Sequence, residues 1–208
     1  MGMQKELKIL LLSSVFLNLA AGLFGPLYAI FVQEIGGNLT VAGFAYSIYA
    51  ITTGVLIFFI SKWEDRFQHE GKLIALGRFL AVIGFVGYLF VNKPTDLYIL
   101  QLVFALSGAI TYPAVTSFYS KHLDKGKFAS EWGIWGSAVW IVIGIAAIIG
   151  GHLANNYGFN LIFMIMAGLS FISFLVSLVL LKKEYDLGKA HEKVLKDHLR
   201  AIKNSRKK

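Results

Sequence analysis

Six apolar stretches, at about 7–33, 39–60, 72–91, 97–119, 129–151 and 159–181, alternate with short polar segments along the chain. Each is long enough to cross a bilayer, which takes roughly 20 mostly apolar residues. The runs are continuously apolar rather than alternating, a pattern that predicts helices and not transmembrane strands. Glycine and proline inside them are tolerated where neighbouring helices satisfy the freed backbone groups. The first run follows Lys5 and Lys8, as the core of a signal peptide would, but it continues to about Val32 and is read as a retained helix. The expected architecture is an all-α integral membrane domain of six helices over residues 1–181, followed by a basic amphipathic tail over 182–208.

Composition agrees. Of 208 residues 56% are hydrophobic and only 15% charged, against about 25% charged in an average soluble domain, and mean hydropathy is +0.64. The basic residues predict orientation. Lys5 and Lys8, then Lys62, Arg66 and Lys72, then Lys121, Lys125 and Lys127, and the tail all fall on one side of a six-span topology; only Lys93 falls on the other, and Arg78 lies inside the third span. Both termini are therefore expected in the cytoplasm, with the protein in the plasma (inner) membrane. The net charge of +8 follows from this asymmetry. It does not point to nucleic acid, because no basic face with stacking aromatics lies outside the spans.

The charged segment Ser61–Lys72, between the second and third runs, has an uncharged counterpart about ninety residues later in Gly151–Gly158. Pro26 pairs with Pro113 at a separation of 87, and Gly54 pairs with Gly144 at 90; Asp65-Arg66 is answered by Asn155-Asn156. An odd number of spans separates the copies, so they run in opposite senses. That predicts two inverted three-helix repeats, at about 7–91 and 97–181, a building unit of several secondary transporters.

Asp65, Arg66, Gly71 and Lys72 resemble the signature of the major facilitator superfamily, Gly-x-x-x-Asp-Arg-x-Gly-Arg/Lys. The resemblance extends over nearly the whole chain, through a Gly- and Pro-containing fourth span to the Gly150-Gly151 end of the fifth. Ser61 replaces the leading glycine, Gln68-His69-Glu70 is an insertion, the fourth span has no arginine, and the fifth lacks the proline of the antiporter branch. The resemblance implies a secondary transporter moving a small solute by alternating access. Members typically have twelve spans in two halves, and a parallel homodimer of this chain would reproduce that arrangement around a central cavity. It also implies a conformational switch at Asp65, Arg66, Gly71 and Lys72. Asp65 would face the N-terminus of the partner's fifth span, near Phe128, while Arg66 and Lys72 hold the segment against its own helices; the plainer alternative is that these are only inside charges. By the same analogy spans one, two, four and five line the substrate path, and spans three and six face lipid.

Polar residues on the implied lining spans supply substrate-binding candidates: Asn18, Tyr46, Gln101, Thr111, Tyr112 and Trp140, with Trp132 and Trp135 nearby. Buried amides such as those of Asn18 and Gln101 need partners in hydrocarbon, although polar side chains also serve as helix–helix glue. Tyr28, Tyr98, Tyr157 and Trp63 read as interface anchors, and Arg78 as a side chain snorkelling to the inner interface, with contact to an anionic substrate as its alternative. No acidic residue lies deep in a span. This favours a uniporter, or coupling through Glu34 or Glu131 at the cavity mouth, over a buried carboxylate relay.

The tail from Lys182 carries Leu187, Val194, Leu195, Leu199 and Ile202 at helical spacing and suits an anionic lipid surface; a disordered solubilising tail is the alternative. The chain has no cysteine, and nothing in it suggests a metal, a cofactor or an enzyme: there is no nucleotide-binding Gly-rich loop and no metal-ligand cluster. A rival reading is a non-transporting membrane subunit that pairs with a different membrane protein, and a third is a piece of a longer transporter.

Overall fold

A computed structural model describes residues 3–67 and 69–181, and the expected amphipathic tail lies outside them. Among these residues the protein is entirely helical. Helix α1 (Lys5–Phe24) passes through a 3-10 turn (Gly25–Leu27) into α2 (Tyr28–Glu34), and together they form the first span. The others are α3 (Leu39–Phe67), α4 (Glu70–Gly87, extended by a 3-10 turn over Tyr88–Phe90), α5 (Pro94–Lys121), α6 (Phe128–Tyr157) and α7 (Phe159–Leu181). All six spans are long and apolar enough to cross a membrane, so the protein is integral to one.

Local chemistry sets the helix ends. Asn38 caps α3, its Oδ1 accepting from the Val41 amide at 3.0 Å. Pro94 opens α5, where a missing N–H costs nothing. Pro26 breaks the first span while Pro113 sits within an unbroken α5, so the two prolines paired by the repeat act differently on the backbone.

The charged segment 61–72 is shorter as a loop than its polarity suggests. Helix α3 continues through Phe67 and α4 begins at Glu70. Lysine, glutamate, arginine and tryptophan are all compatible with a helix, so the backbone stays helical past the apolar limit near residue 60. The uncharged counterpart does the same, as the last two turns of α6. There Gly158 alone joins α6 to α7, with φ 76° and ψ −179°, a conformation open essentially only to glycine. Gly158→Ala is expected to cost about 1–3 kcal/mol, read as a lower midpoint of thermal unfolding in detergent.

Helix α3 packs along α5, α4 also along α5, and α6 along α1, while α7 joins α1 through a reciprocal Ser13–Ser173 contact. Two apolar clusters result. One, centred on Phe24, Phe31, Tyr88 and Phe163, lies at the end away from the charged segment; the other, around Leu10, Ile74, Phe118 and Leu180, lies toward the charged segment. Between them runs a polar layer of Ser13, Ser14, Arg78 and Ser173. The spans differ sharply in burial: in the 18-residue core of each span, α3 and α6 bury only 6% and 11% of positions, whereas α4 with its turn buries 50%.

Candidate functional site

A cavity of about 750 Å³ opens between the helices. Its wall is rich in aromatic residues, with aliphatic, glycine and polar side chains set between them. Asn18, Tyr46, Gln101, Thr111 and Tyr112 all line it, as do Trp132 and Trp135. Trp140 stands apart, 73% exposed and outside the lining. Helical geometry explains why: at about 100° per residue, Trp140 points roughly 80° away from Trp132 and 140° away from Trp135.

The two amides behave differently. Gln101 is buried, and its Nε2 donates to the Tyr28 hydroxyl at 3.1 Å across the cavity. Asn18 turns its Nδ2 back onto the Ser14 carbonyl at 2.7 Å, leaving its amide oxygen for the cavity. Several hydroxyls are spent on their own helices: Thr53 donates to Tyr49 O and Thr116 to Tyr112 O. The Thr111 hydroxyl is buried without a partner, close against Gly77 of α4.

Further placements differ from the sequence expectations. Tyr28 lines the cavity rather than anchoring an interface. Span three is not a lipid-facing helix alone, since Arg78, Phe85 and Tyr88 back the cavity, and α7 contributes Met166. Arg78 does not snorkel. It sits eight residues into α4, about 12 Å of helix rise, is 3% exposed and donates through Nη2 to Ser14 Oγ at 2.7 Å. Its depth along the run was visible in the sequence; that it faces the protein rather than lipid was not, because all of α4 is apolar or glycine around it.

Neither acidic residue considered for coupling lines the cavity. Glu34 borders a small crevice with Asn92 and Asn160. Glu131 is buried, accepting from the Asp124 amide at 3.1 Å, while its carbonyl accepts from the Tyr119 hydroxyl at 2.6 Å; both bonds fasten the α5–α6 connection.

At the charged segment Asp65, Arg66 and Lys72 are exposed and Gly71 is buried. Among the described residues none of the three charged side chains forms an ion pair. The segment is held instead by Glu70, a residue the signature does not include. Its carboxylate pairs with Lys121 of α5 and accepts from the Ser117 hydroxyl. Its position in the insertion was the only sequence hint of a separate role.

Residues 10–206 match the Major Facilitator Superfamily. The chain is 23% identical to the uncharacterized MFS-type transporter MJ1560 of Methanocaldococcus jannaschii, over 84% of this chain and 45% of that protein. It is 23% identical to the uncharacterized MFS-type transporter YitZ of Bacillus subtilis, over 74% of this chain and 93% of that protein. It is 22% identical to the multidrug resistance protein MdtG of Klebsiella pneumoniae, over 84% and 43%. The chain thus spans less than half the length of the first and third of these relatives. In fold it is similar to the POT family transporter PepTSo, with a TM-score of 0.65 over 86% of this chain and 38% of that one, at 15% identity. With the match covering nearly all of six membrane-spanning helices, the chain belongs to the major facilitator superfamily.

Proposed function

We propose that the protein is a secondary transporter that moves a small solute by alternating access, and that its working unit is a parallel homodimer enclosing one central cavity. The cavity carries this reading. It is formed by all six spans, yet the lining residues Tyr46 and Tyr112 are 61% and 64% exposed, so one side of it is open. Tyr46 lies on α3 and Tyr112 on α5, and the spans that bury least within the chain are α3 and α6. In the twelve-span transporters of this superfamily two six-span halves meet about an axis along the membrane normal, and a second copy would close the cavity in that way.

Packing supports the inverted repeat. The pairing of α3 with α5 and the pairing of α6 with α1 exchange under a repeat that maps span one onto four and span two onto five. The distribution of lysine and arginine supports cytoplasmic termini. A wall of aromatic groups suits an amphiphilic solute, in keeping with a relative named for multidrug resistance.

The chain lacks cysteine, so single cysteines at matched depth along the exposed faces of α3 and α6, such as at Val55 and Ile141, report directly on a partner. The expected result is α3–α6 disulfides between two copies in liposomes, together with gradient-driven uptake from a panel of amphiphilic solutes. A strictly monomeric chain by native mass spectrometry from bilayers would eliminate the homodimer. An inert panel with a different membrane protein co-purifying would replace the transporter by a pairing subunit.

A further inference from the structure

We infer that the cavity holds the charged head of an amphiphilic organic anion, a carboxylate or sulfonate on an apolar body, and that Arg78 receives it. This deepens the transport reading and rests on it in taking the cavity as the solute's place. Among the described residues, Arg78 is the single charged one lining the cavity. Its guanidinium offers five N–H donors in a planar fork. Only Nη2 has a partner among the described residues, the neutral Ser14 hydroxyl, and Nε has none. The ion pairs among those residues, Lys121–Glu70 and Lys127–Asp124, involve other charges.

A buried cation without a counter-ion is costly to keep, and a neutral side chain would satisfy Ser14 as well. An intramembrane charge of this kind marks a solute or ion path more often than a structural joint. The second unmatched donor lies close by: the Thr111 hydroxyl, buried and unpartnered, packs against Gly77, the residue preceding Arg78. An unmatched guanidinium and an unmatched hydroxyl in one lining, beside Tyr49, Phe85 and Trp135, fit an anionic head on an aromatic or apolar body. They do not fit a cation, since the described lining residues include no carboxylate.

Equilibrium binding to the whole chain in nanodiscs of phosphatidylcholine tests this, using 2-naphthoate, 2-naphthamide and 2-naphthylmethylamine, which share one body. The acid is expected to bind about tenfold tighter than the amide or more, with the amine weakest. Arg78→Gln should bring acid and amide to within about twofold, and Arg78→Lys should keep part of the preference as a point charge without the fork. Unliganded Arg78→Gln should unfold at the same temperature or higher, because it relieves an unpaired buried charge; a lower midpoint would assign Arg78 a structural role and overturn the inference. Equal binding of acid and amide to the wild type, or a preference that survives Arg78→Gln, would also overturn it. Displacement of naphthoate by phosphatidylglycerol added to the disc would give the site to a lipid headgroup and remove the solute assignment. Binding is read without a gradient, so the two readings fail separately. Anion-selective binding with no uptake retires transport and keeps the site, whereas uptake of neutral or cationic solutes with no anion preference does the reverse.

Discussion

Adding one methyl group at Gly150 is expected to lower the midpoint of thermal unfolding by roughly 10 °C, while the same change at Gly151 leaves it unchanged or raises it. A Cβ on Gly150 would lie 1.8 Å from the Leu23 carbonyl oxygen and 2.6 Å from its carbon. Those are backbone atoms and cannot rotate away, so α1 and α6 must separate. Nearby, Gly22 would meet the Ala146 Cβ at 2.8 Å, and Ala146 itself is fully buried. Ala146 and Gly150, one turn apart, form the small-residue face that lets two spanning helices approach closely. Overpacking of this kind costs about 3 kcal/mol, which for a chain of this length corresponds to about 6–12 °C. Gly151 has nothing within 4 Å of its Cβ position, so Gly151→Ala brings only the gain in helix propensity, up to about 1 kcal/mol. Thermal unfolding of the two variants in one detergent decides the matter, and equal midpoints would remove the close α1–α6 contact.

That contrast also marks where the sequence stops being informative. Gly150-Gly151 was legible as a family feature, but which of the two carries the contact depends on the rotation of α6 about its axis, and an apolar helix gives little periodicity to fix it. The count of spans and their order were legible because hydropathy and length act locally. Span ends near 67 and 70 were not, because charged residues continue a helix as readily as they end a run. For the site, Asn18, Tyr46, Gln101, Thr111 and Tyr112 could be named since polar groups in spans are few, and the structure gathers them around one cavity. Tyr28 and Arg78 were read toward the interface because the sequence shows depth along a helix and not the direction a side chain faces. The role of Glu70 is not legible in the sequence because its partner, Lys121, lies 51 residues away.

Asp65→Asn is expected to slow solute uptake by about 5- to 30-fold while leaving the unfolding midpoint within about 2 °C. Asp65 is exposed and unpaired among the described residues. It lies in the last turn of α3, at the negative end of its own helix dipole, where a carboxylate is disfavoured. Its amide variant therefore loses no ion pair among the described residues. What it would lose is a contact in one access state only, with the N-terminus of a partner's α6, which begins at Phe128 behind Lys125 and Lys127. A carboxylate at such a positive end is worth about 1–2 kcal/mol in favourable geometry, and a contact made in one state shifts the ratio of states by the corresponding factor. Uptake in liposomes gives the rate. Labelling of a cysteine at Thr53, in the cavity wall, by an impermeant thiol reagent from each side gives the state ratio, and both should move together. Uptake that slows with an unchanged labelling ratio would place Asp65 in solute handling rather than in the switch, and unchanged uptake would leave it a mere inside charge.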